Sequence, residues 1–495
     1  MDNIRNYHLG LQHLKAQPLE EELVKHLSKP DEIRSIYQKD RDRIMYGKAF
    51  RRLAGKTQVF LAGHDDYNRT RLTHTLEVSQ IAKTISGFLG LDVDLTEAIA
   101  SGHDIGHAPF GHVGERVINH FSNGCDNYKD SMRRTDYYDL KNWMGFKHNW
   151  QSVRIAESLA RHKENYGLKL SKQTLYGILN HTILDYKSCN YFCNSHCNYR
   201  KRGDSTECIK ENLCLDFYIT NYSDINNCLY FTVESIIVSI SDEIAQIHHD
   251  LEDGLRNNIF SLESLLDEIK SIISFDNYTK IKTITNKKET TNRIEDIITI
   301  LSSDLINYFV SNTIIKLATY FQDFSYSDIS IESRVMKIRD ETKFSFIFKK
   351  CENIQKFMYK RILNSHIAQV MDGRAEYLLR RLFKAYLSNP QQLPDNTLLA
   401  FKRNIDLEYE DKSQHNKKSI EKIENYKEIG HLRVNLDKLL NGIENEAVDG
   451  VFYDFSKNRA ILLRTICDYV SGMTDRRATS EYQRLYGIEK DIREL

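Results

Sequence analysis

A predominantly α-helical, all-α fold is what this sequence predicts, on three observations. Apolar residues recur at helical spacing through most of the chain, strand-like alternation is scarce, and only 5 prolines interrupt 495 residues. The 69 basic and 69 acidic side chains balance, so no global field argues for nucleic-acid or membrane binding. An anionic substrate would have to be caught locally.

The opening MDNIRNYHLGLQHLKAQ has neither an uninterrupted apolar core nor a small-residue cleavage site. The most apolar long segment, IITILSSDLINYFVSNTIIKLATYF, is broken by Asp304, Asn307, Asn312 and Lys316. A cytoplasmic protein that does not span a membrane is expected. Internal repeats, a Walker-type loop and a Rossmann fingerprint are not found.

Taken in order, residues up to Pro30 read as a charged helical approach. Asp31 is placed to cap a helix through IRSIYQKDRDRIMYGKAFRRL that Gly55 ends. KTQVFLAGHDDYNRT, with Val59 and Phe60 beside Gly63, reads as a small β-hairpin. Arg52, Lys56, Gln58, Arg69 and Arg71 gather around that turn, either as a solvated surface or as a phosphate-binding set. Three regions are expected: an N-terminal helical segment at 1–55, a core at 56–260, and a helical C-terminal region at 261–495.

The core carries the chemistry. In RLTHTLEVSQIAKTISGFLGLDVDLTEAIASGHDIGHAPFGHVGE, Leu72, Leu76, Ile81 and Ile85 can share one helical face, and Leu95, Ala98 and Ile99 begin a second. His74 would sit on the first helix, and His103 with Asp104 would end the second. Imidazole nitrogens and a carboxylate brought together in this way suit manganese, iron, zinc or magnesium. A further ligand is expected from Asp242, alone among apolar residues in FTVESIIVSISDEIAQIHHDLEDGL, because a lone buried carboxylate is costly unless paired or metal-bound. His112 and Glu115 are three apart on a helix, where a carboxylate can fix an imidazole's tautomer. Such pairs also occur on ordinary surfaces.

MGFKHNWQSVRIAESLARH and SKQTLYGILNHTIL continue the helical pattern. Between about Asp185 and Tyr230 the composition changes, with Cys189, Cys193, Cys197, Cys208, Cys214 and Cys228 in one stretch. The C-x3-C-x3-C spacing is not that of a zinc knuckle. Cys189, Cys193 and Cys197 with Cys208 or Cys214 could hold a zinc ion or an iron–sulfur cluster, or all could be reduced thiols in an insertion. From Phe260 onward the chain reads as helices joined by the charged stretches NKKETTNRIED and DLEYEDKSQHNKKSIEKIENYK, with Pro390 and Pro394 as breakers.

The ordered blocks DRDRIMYGKAFRRLAGKTQVF, NRTRLTHTLEV, GHDIGHAPFGHVGE, ISDEIAQIHHDLEDGL and CDYVSGMTDRRA resemble the deoxyguanosinetriphosphate triphosphohydrolase-like family of HD-domain phosphohydrolases, from about Arg34 to Gly487. The resemblance implies a helical HD core and a divalent metal on His74, His103, Asp104 and Asp242, with manganese or magnesium favoured over iron, cobalt or zinc. It also implies hydrolysis of a deoxynucleoside triphosphate (dNTP) at the α-phosphorus, releasing deoxynucleoside and tripolyphosphate. Arg71 would take phosphate, helped by Arg52, Lys56 and Gln58. His112 with Glu115 would assist proton transfer, while His107 and His148 would support the phosphates or share that role.

Asp250 matches a position that contacts the sugar 3′-hydroxyl in that family. Gln246 stands where the family usually has tyrosine, which puts fine substrate discrimination in doubt. Tyr469 and Arg476 could contact nucleotide, or be packing and surface residues. A homo-oligomer, a hexamer being favoured, and an activating nucleotide are further implications. Two other classes stay open. One is an HD phosphohydrolase acting on a nucleoside monophosphate or cyclic nucleotide; the other is a non-hydrolytic nucleotide or single-stranded-DNA sensor.

Overall fold

The computed structural model describes residues 4–27, 33–58, 69–123, 145–162, 165–182, 215–270, 272–286, 293–321, 352–409, 426–441, 447–448, 451–452 and 455–487. The cysteines proposed as a second metal or cluster site, Cys189, Cys193, Cys197, Cys208 and Cys214, lie outside these residues, as do Asp31 and most of both charged connectors.

The fold is helical, as the sequence predicts. In chain order the helices are α1 (Glu20–Leu27), α2 (Ile36–Met45), α3 (Lys48–Arg52), α4 (Arg71–Leu89), α5 (Val93–Gly102), α6 (Gly111–Ser122), α7 (His148–Arg154), α8 (Lys172–Asn180) and α9 (Asp216–Tyr222). They continue as α10 (Val233–Arg256), α11 (Leu262–Ile269), α12 (Phe275–Asn286), α13 (Arg293–Phe321), α14 (Glu352–Met358) and α15 (His366–Ser388). The last four are α16 (Asp395–Tyr409), α17 (Tyr426–Asn441), α18 (Phe455–Ser471) and α19 (Asp475–Tyr486). Strand structure among the described residues is limited to two antiparallel pairs, β1 (Arg161–His162) with β2 (Asn165–Tyr166), and β3 (Ala447–Val448) with β4 (Val451–Phe452). The hairpin expected near residue 60 has its turn outside the described residues; its base, Thr57 and Thr70, pairs in an antiparallel bridge. Ser35 closes a capping box at the start of α2.

By packing, the chain forms two units, each gathering separated stretches. The first is Met1–Gly106, Asn149–Leu184 and Asp224–Gly373; the second is His107–His148, Asp185–Ser223 and Arg374–Leu495.

In the first unit α4, α5 and α10 pack on one another, with α2 and α8 against α5 and α13 against α10 and α4. Its core includes Val78, Ile85, Leu89, Ile99, Ile237, Ile244 and Phe309. The apolar face of α4 is Val78, Ile81, Ala82, Ile85 and Leu89; Leu76, expected on it, is 47% exposed. Where α5 meets α8, a Cβ on Gly102 would stand 2.4 Å from Ile178 Cδ1, and one on Gly177 would stand 2.4 Å from Ile99 Cδ1. Each helix thus takes an isoleucine of the other into a glycine notch.

In the second unit α18 is the hub, packed by α6, α16 and α17 over a core that includes Phe121, Phe383, Phe401 and Ile466. Arg464 is buried on α18 and donates from Nη1 to the Tyr218 hydroxyl at 3.0 Å and from Nη2 to the Gly145 carbonyl. That second bond secures the approach to Lys147 and His148.

Candidate active site

Thr70 starts α4. Its side chain accepts from the Thr73 backbone N–H, and Thr73 reciprocates, closing a capping box that fixes the first turn. Arg71 and His74, three residues apart, therefore share a face and are both buried. Asp92 caps α5, which delivers His103 and Asp104 at its C-terminal end. Thr232 caps α10, whose Val233, Ile237, Ile240 and Ile244 are buried and place Asp242 in mid-helix.

These three helices bring the predicted ligand set together. Donor atoms of His74, His103 and Asp104 lie within 4.8 Å of one another. His74 Nε2 is 2.9 Å from Asp242 Oδ1, and His103 Nε2 is 3.6 Å from Asp104 Oδ2 and 3.9 Å from Asp242 Oδ1. His103 Nδ1 donates to the Ala100 carbonyl at 2.7 Å, so its Nε2 carries the lone pair. That Nε2 is buried without a hydrogen bond, a costly condition that a coordinated cation would relieve. Burial opposes the charge on Asp242, but the hydrogen bond with His74 and the fields of His103, His74 and His181 hold its pKa far below the ordinary range. The mixed imidazole and carboxylate set fits a divalent first-row ion or magnesium.

Arg71, expected to take phosphate, donates from Nη1 to Asp104 Oδ2 at 2.5 Å. The Arg71 backbone N–H donates to the Lys56 carbonyl at 3.0 Å, which ties the segment holding Lys56 and Gln58 to the start of α4. Lys56 is buried, Gln58 half-buried and Arg52 exposed. Arg69 is engaged by acids: it binds Glu252 and lies 3.3 Å from Glu77 and 3.7 Å from Asp253.

On α10, Gln246 and Asp250 are half-buried. Burial, with the charges of Asp253 and Glu243, raises the Asp250 pKa to about 8. Two residues not singled out from the sequence adjoin the ligand set. His249 Nδ1 is 3.3 Å from His74 Nδ1, and His249 Nε2 meets Glu77 Oε2. Burial would raise Glu77, yet the bond from His249 and the charges of His249 and Arg69 hold it at about 2. The signal for His249 was its spacing, seven residues and two turns beyond Asp242 on one helix face.

The second unit holds another cluster. Nitrogen and carboxylate donors of His107, His112, Glu115 and His148 lie within 4.8 Å of one another, with His112 exposed and the other three buried. The His107 and His148 rings stack at 4.5 Å, and His112 stands 5.1 Å from His107 and 6.0 Å from His148. Glu115 Oε2 accepts from the His148 backbone N–H at 3.0 Å and from its Nδ1, while Oε1 accepts from Lys147 Nζ at 2.6 Å. The carboxylate expected to orient His112 is thus bonded to His148. Burial works against its charge, but Lys147 and the histidines hold Glu115 well below the usual range. The turn before α6 puts Phe110 at φ 59° and Gly111 at φ 63°, and the Phe110 N–H donates to Asp475 Oδ1 at 2.8 Å. In the same unit Tyr469 packs its ring 5.6 Å from Tyr386, and Arg476 is exposed on α19.

Among the described residues no helix is long and apolar enough to cross a membrane. The HD-domain family model matches residues 71–181, and the phosphohydrolase-associated domain matches 345–412 and 448–484. The chain is 31% identical over 365 residues to a deoxyguanosinetriphosphate triphosphohydrolase-like protein of Clostridium tetani, covering 74% of this chain and 77% of the relative. It is 28% identical over 463 residues to a protein of the same description from Roseobacter denitrificans, covering 91% of each. With one from Clostridium perfringens strain SM101 it shares 37% over 258 residues, 52% of this chain and 58% of the relative. The matched HD domain spans His74, His103 and Asp104, and the shared length runs through both packing units. The chain belongs to the deoxyguanosinetriphosphate triphosphohydrolase-like family of HD-domain phosphohydrolases.

Proposed function

We propose that this protein hydrolyses a deoxynucleoside triphosphate at the α-phosphorus, giving deoxynucleoside and inorganic tripolyphosphate. The observation that carries the reading is the convergence of His74, His103, Asp104 and Asp242 in a chain whose relatives are described as deoxyguanosinetriphosphate triphosphohydrolase-like. A divalent ion there, manganese or magnesium before iron, cobalt or zinc, supplies Lewis acidity toward water and a phosphoryl oxygen.

The protein's own groups do the rest. Arg71 positions Asp104 and presents a guanidinium, the geometry suited to phosphate oxygens. Arg52, Lys56 and Gln58 add to phosphate binding. His112, the exposed member of its cluster, moves the proton at the leaving 5′-oxygen; Glu115 holds His148, and His148 with His107 supports it. Asp250 and Gln246 contact the nucleoside, and Tyr469 and Arg476 complete its surroundings. The working form is a cytoplasmic homo-oligomer, hexameric by resemblance, that responds to an activating nucleotide.

The test is incubation of manganese- or magnesium-loaded protein with each of the four dNTPs and GTP, singly and in pairs, with products resolved by chromatography. Deoxynucleoside plus tripolyphosphate is the expected pair. Release of diphosphate or monophosphate would move the attack to another phosphorus and overturn the reading.

A further inference from the structure

We infer that Glu77 and His249 form a two-step hydrogen-bond relay that sets the tautomer and ring orientation of His74, leaving its Nε2 as the ligand nitrogen. The inference rests on the metal reading of the site and adds two positioning residues to it. The His74 and His249 side chains are 1% and 0% exposed, so water does not satisfy their ring nitrogens.

The direction of the relay follows from its outer end. Arg69 Nε lies 3.3 Å from Glu77 Oε1, which keeps that carboxylate ionised and therefore an acceptor only. His249 Nε2 faces Glu77 Oε2 and must donate to it. In a neutral His249 ring the Nδ1 then accepts. His74 Nδ1, 3.3 Å away, is the donor to it, which leaves Nε2, 2.9 Å from Asp242 Oδ1, as the nitrogen a cation would take.

Reversing the relay fails at its outer end. A proton on His249 Nδ1 in place of Nε2 would set a lone pair against the Glu77 carboxylate. His74 would then carry its proton on Nε2, the nitrogen 2.9 Å from Asp242 Oδ1, and could not bind a cation there. His103 is oriented by the same logic through its bond to the Ala100 carbonyl. Both imidazoles thus present Nε2 to the same region, each held from behind by an acceptor. Glu77, His248 and His249 could themselves be read as a cation site. The Arg69 guanidinium on Glu77 and Glu252 already supplies the positive charge there.

The experiment measures manganese affinity of the full-length metal-free protein by the electron paramagnetic resonance of free Mn2+, and the His74 tautomer by 15N-histidine NMR. His249→Leu, which removes the acceptor, and Glu77→Gln, which no longer dictates the donor, should each weaken manganese binding ~10–100-fold. Both should also lose the Nδ1–H signature at His74. His249→Gln, whose amide oxygen can accept from His74 Nδ1, should recover most of the affinity. Unchanged affinity and tautomer in His249→Leu and Glu77→Gln, with binding abolished in His74→Ala, would overturn the relay and leave the metal reading intact. Equal manganese binding by wild type and His74→Ala would overturn the metal reading, and the tautomer would then decide the relay alone. If circular dichroism shows His249→Leu to be unfolded, Glu77→Gln, altered at a half-exposed carboxylate, carries the test.

Discussion

Glu115 gives its carboxylate to His148, 33 residues along the chain, bonding both the ring Nδ1 and the backbone N–H. The sequence made His112 the natural partner of Glu115, one helical turn away. The bond to His148 adds a second imidazole to the reach of Glu115: the buried carboxylate fixes a buried ring, while His112, still within 4.8 Å of it, is the exposed member of the cluster.

Replacement of Glu115 by Gln should therefore act through His148 and Lys147. Gln keeps the shape but loses the charge that Lys147 and the His148 ring lean on. Turnover should fall ~10²–10⁴-fold, the usual scale for a disrupted acid–base group, with metal content unchanged. His112→Ala should lose a similar factor. Full turnover in purified, metal-replete His112→Ala protein would remove that residue from the proton-transfer role.

Asp104→Ala should release the metal and leave Arg71 without its buried carboxylate partner. The loss of Lewis acidity is worth several kcal/mol in the transition state, so turnover should drop by ~10³-fold or more. Metal analysis beside steady-state rates checks both parts, and activity retained without bound metal would defeat the assignment.

Stability should respond to pH through Glu234. Burial raises its pKa to about 7, against backbone N–H bonds from Asp92 and Ala16 and with the Asp92 charge adding to the rise. The folded state therefore holds a proton that the unfolded chain releases above its ordinary value of 4.5. The resulting stability is fully present below that value and is lost as pH rises through about 7. The slope in that window is on the order of 1 kcal/mol per pH unit. Glu234→Gln, which keeps the accepting oxygen, should flatten the decline of melting temperature between pH 5 and pH 8; an unchanged profile would exclude Glu234 as its source.

Gly114→Ala tests the turn before α6. A Cβ there would stand 1.9 Å from the Pro109 carbonyl oxygen, a backbone atom that cannot swing aside as a side chain can. Destabilisation near the top of the overpacking range, about 3 kcal/mol, is expected in urea unfolding. A variant as stable as wild type would mean that the turn readily shifts.

Much of this was legible in the sequence because it depends on local spacing. Period alone located α4, α5 and α10, and the chemistry of His74, His103, Asp104 and Asp242 marked the candidate ligands that those helices bring together. What sequence could not supply was partner choice at longer range. Glu115 had a neighbour at i−3, and only tertiary structure brings His148 to it. Arg71 had the chemistry for phosphate, and only packing shows its guanidinium on Asp104. Leu76 fell within the apolar pattern of α4 yet is 47% exposed, because the buried face is centred on Val78, Ala82, Ile85 and Leu89. Glu77 and His249 looked like ordinary charged and polar positions until His74 was found between them and Asp242.

The paired notches between α5 and α8 make a keyed joint. With Ile178 seated at Gly102 and Ile99 seated at Gly177, sliding α5 along its axis would drive a branched side chain into backbone at two places at once. His103 follows directly on that helix, so one wall of the ligand set is mechanically clamped. An ion of unsuitable radius would meet resistance from this wall. Accommodation would fall first to His74 and Asp242 on the other two helices, so the choice among ions becomes a matter of calibre, like a fixed jaw against a moving one.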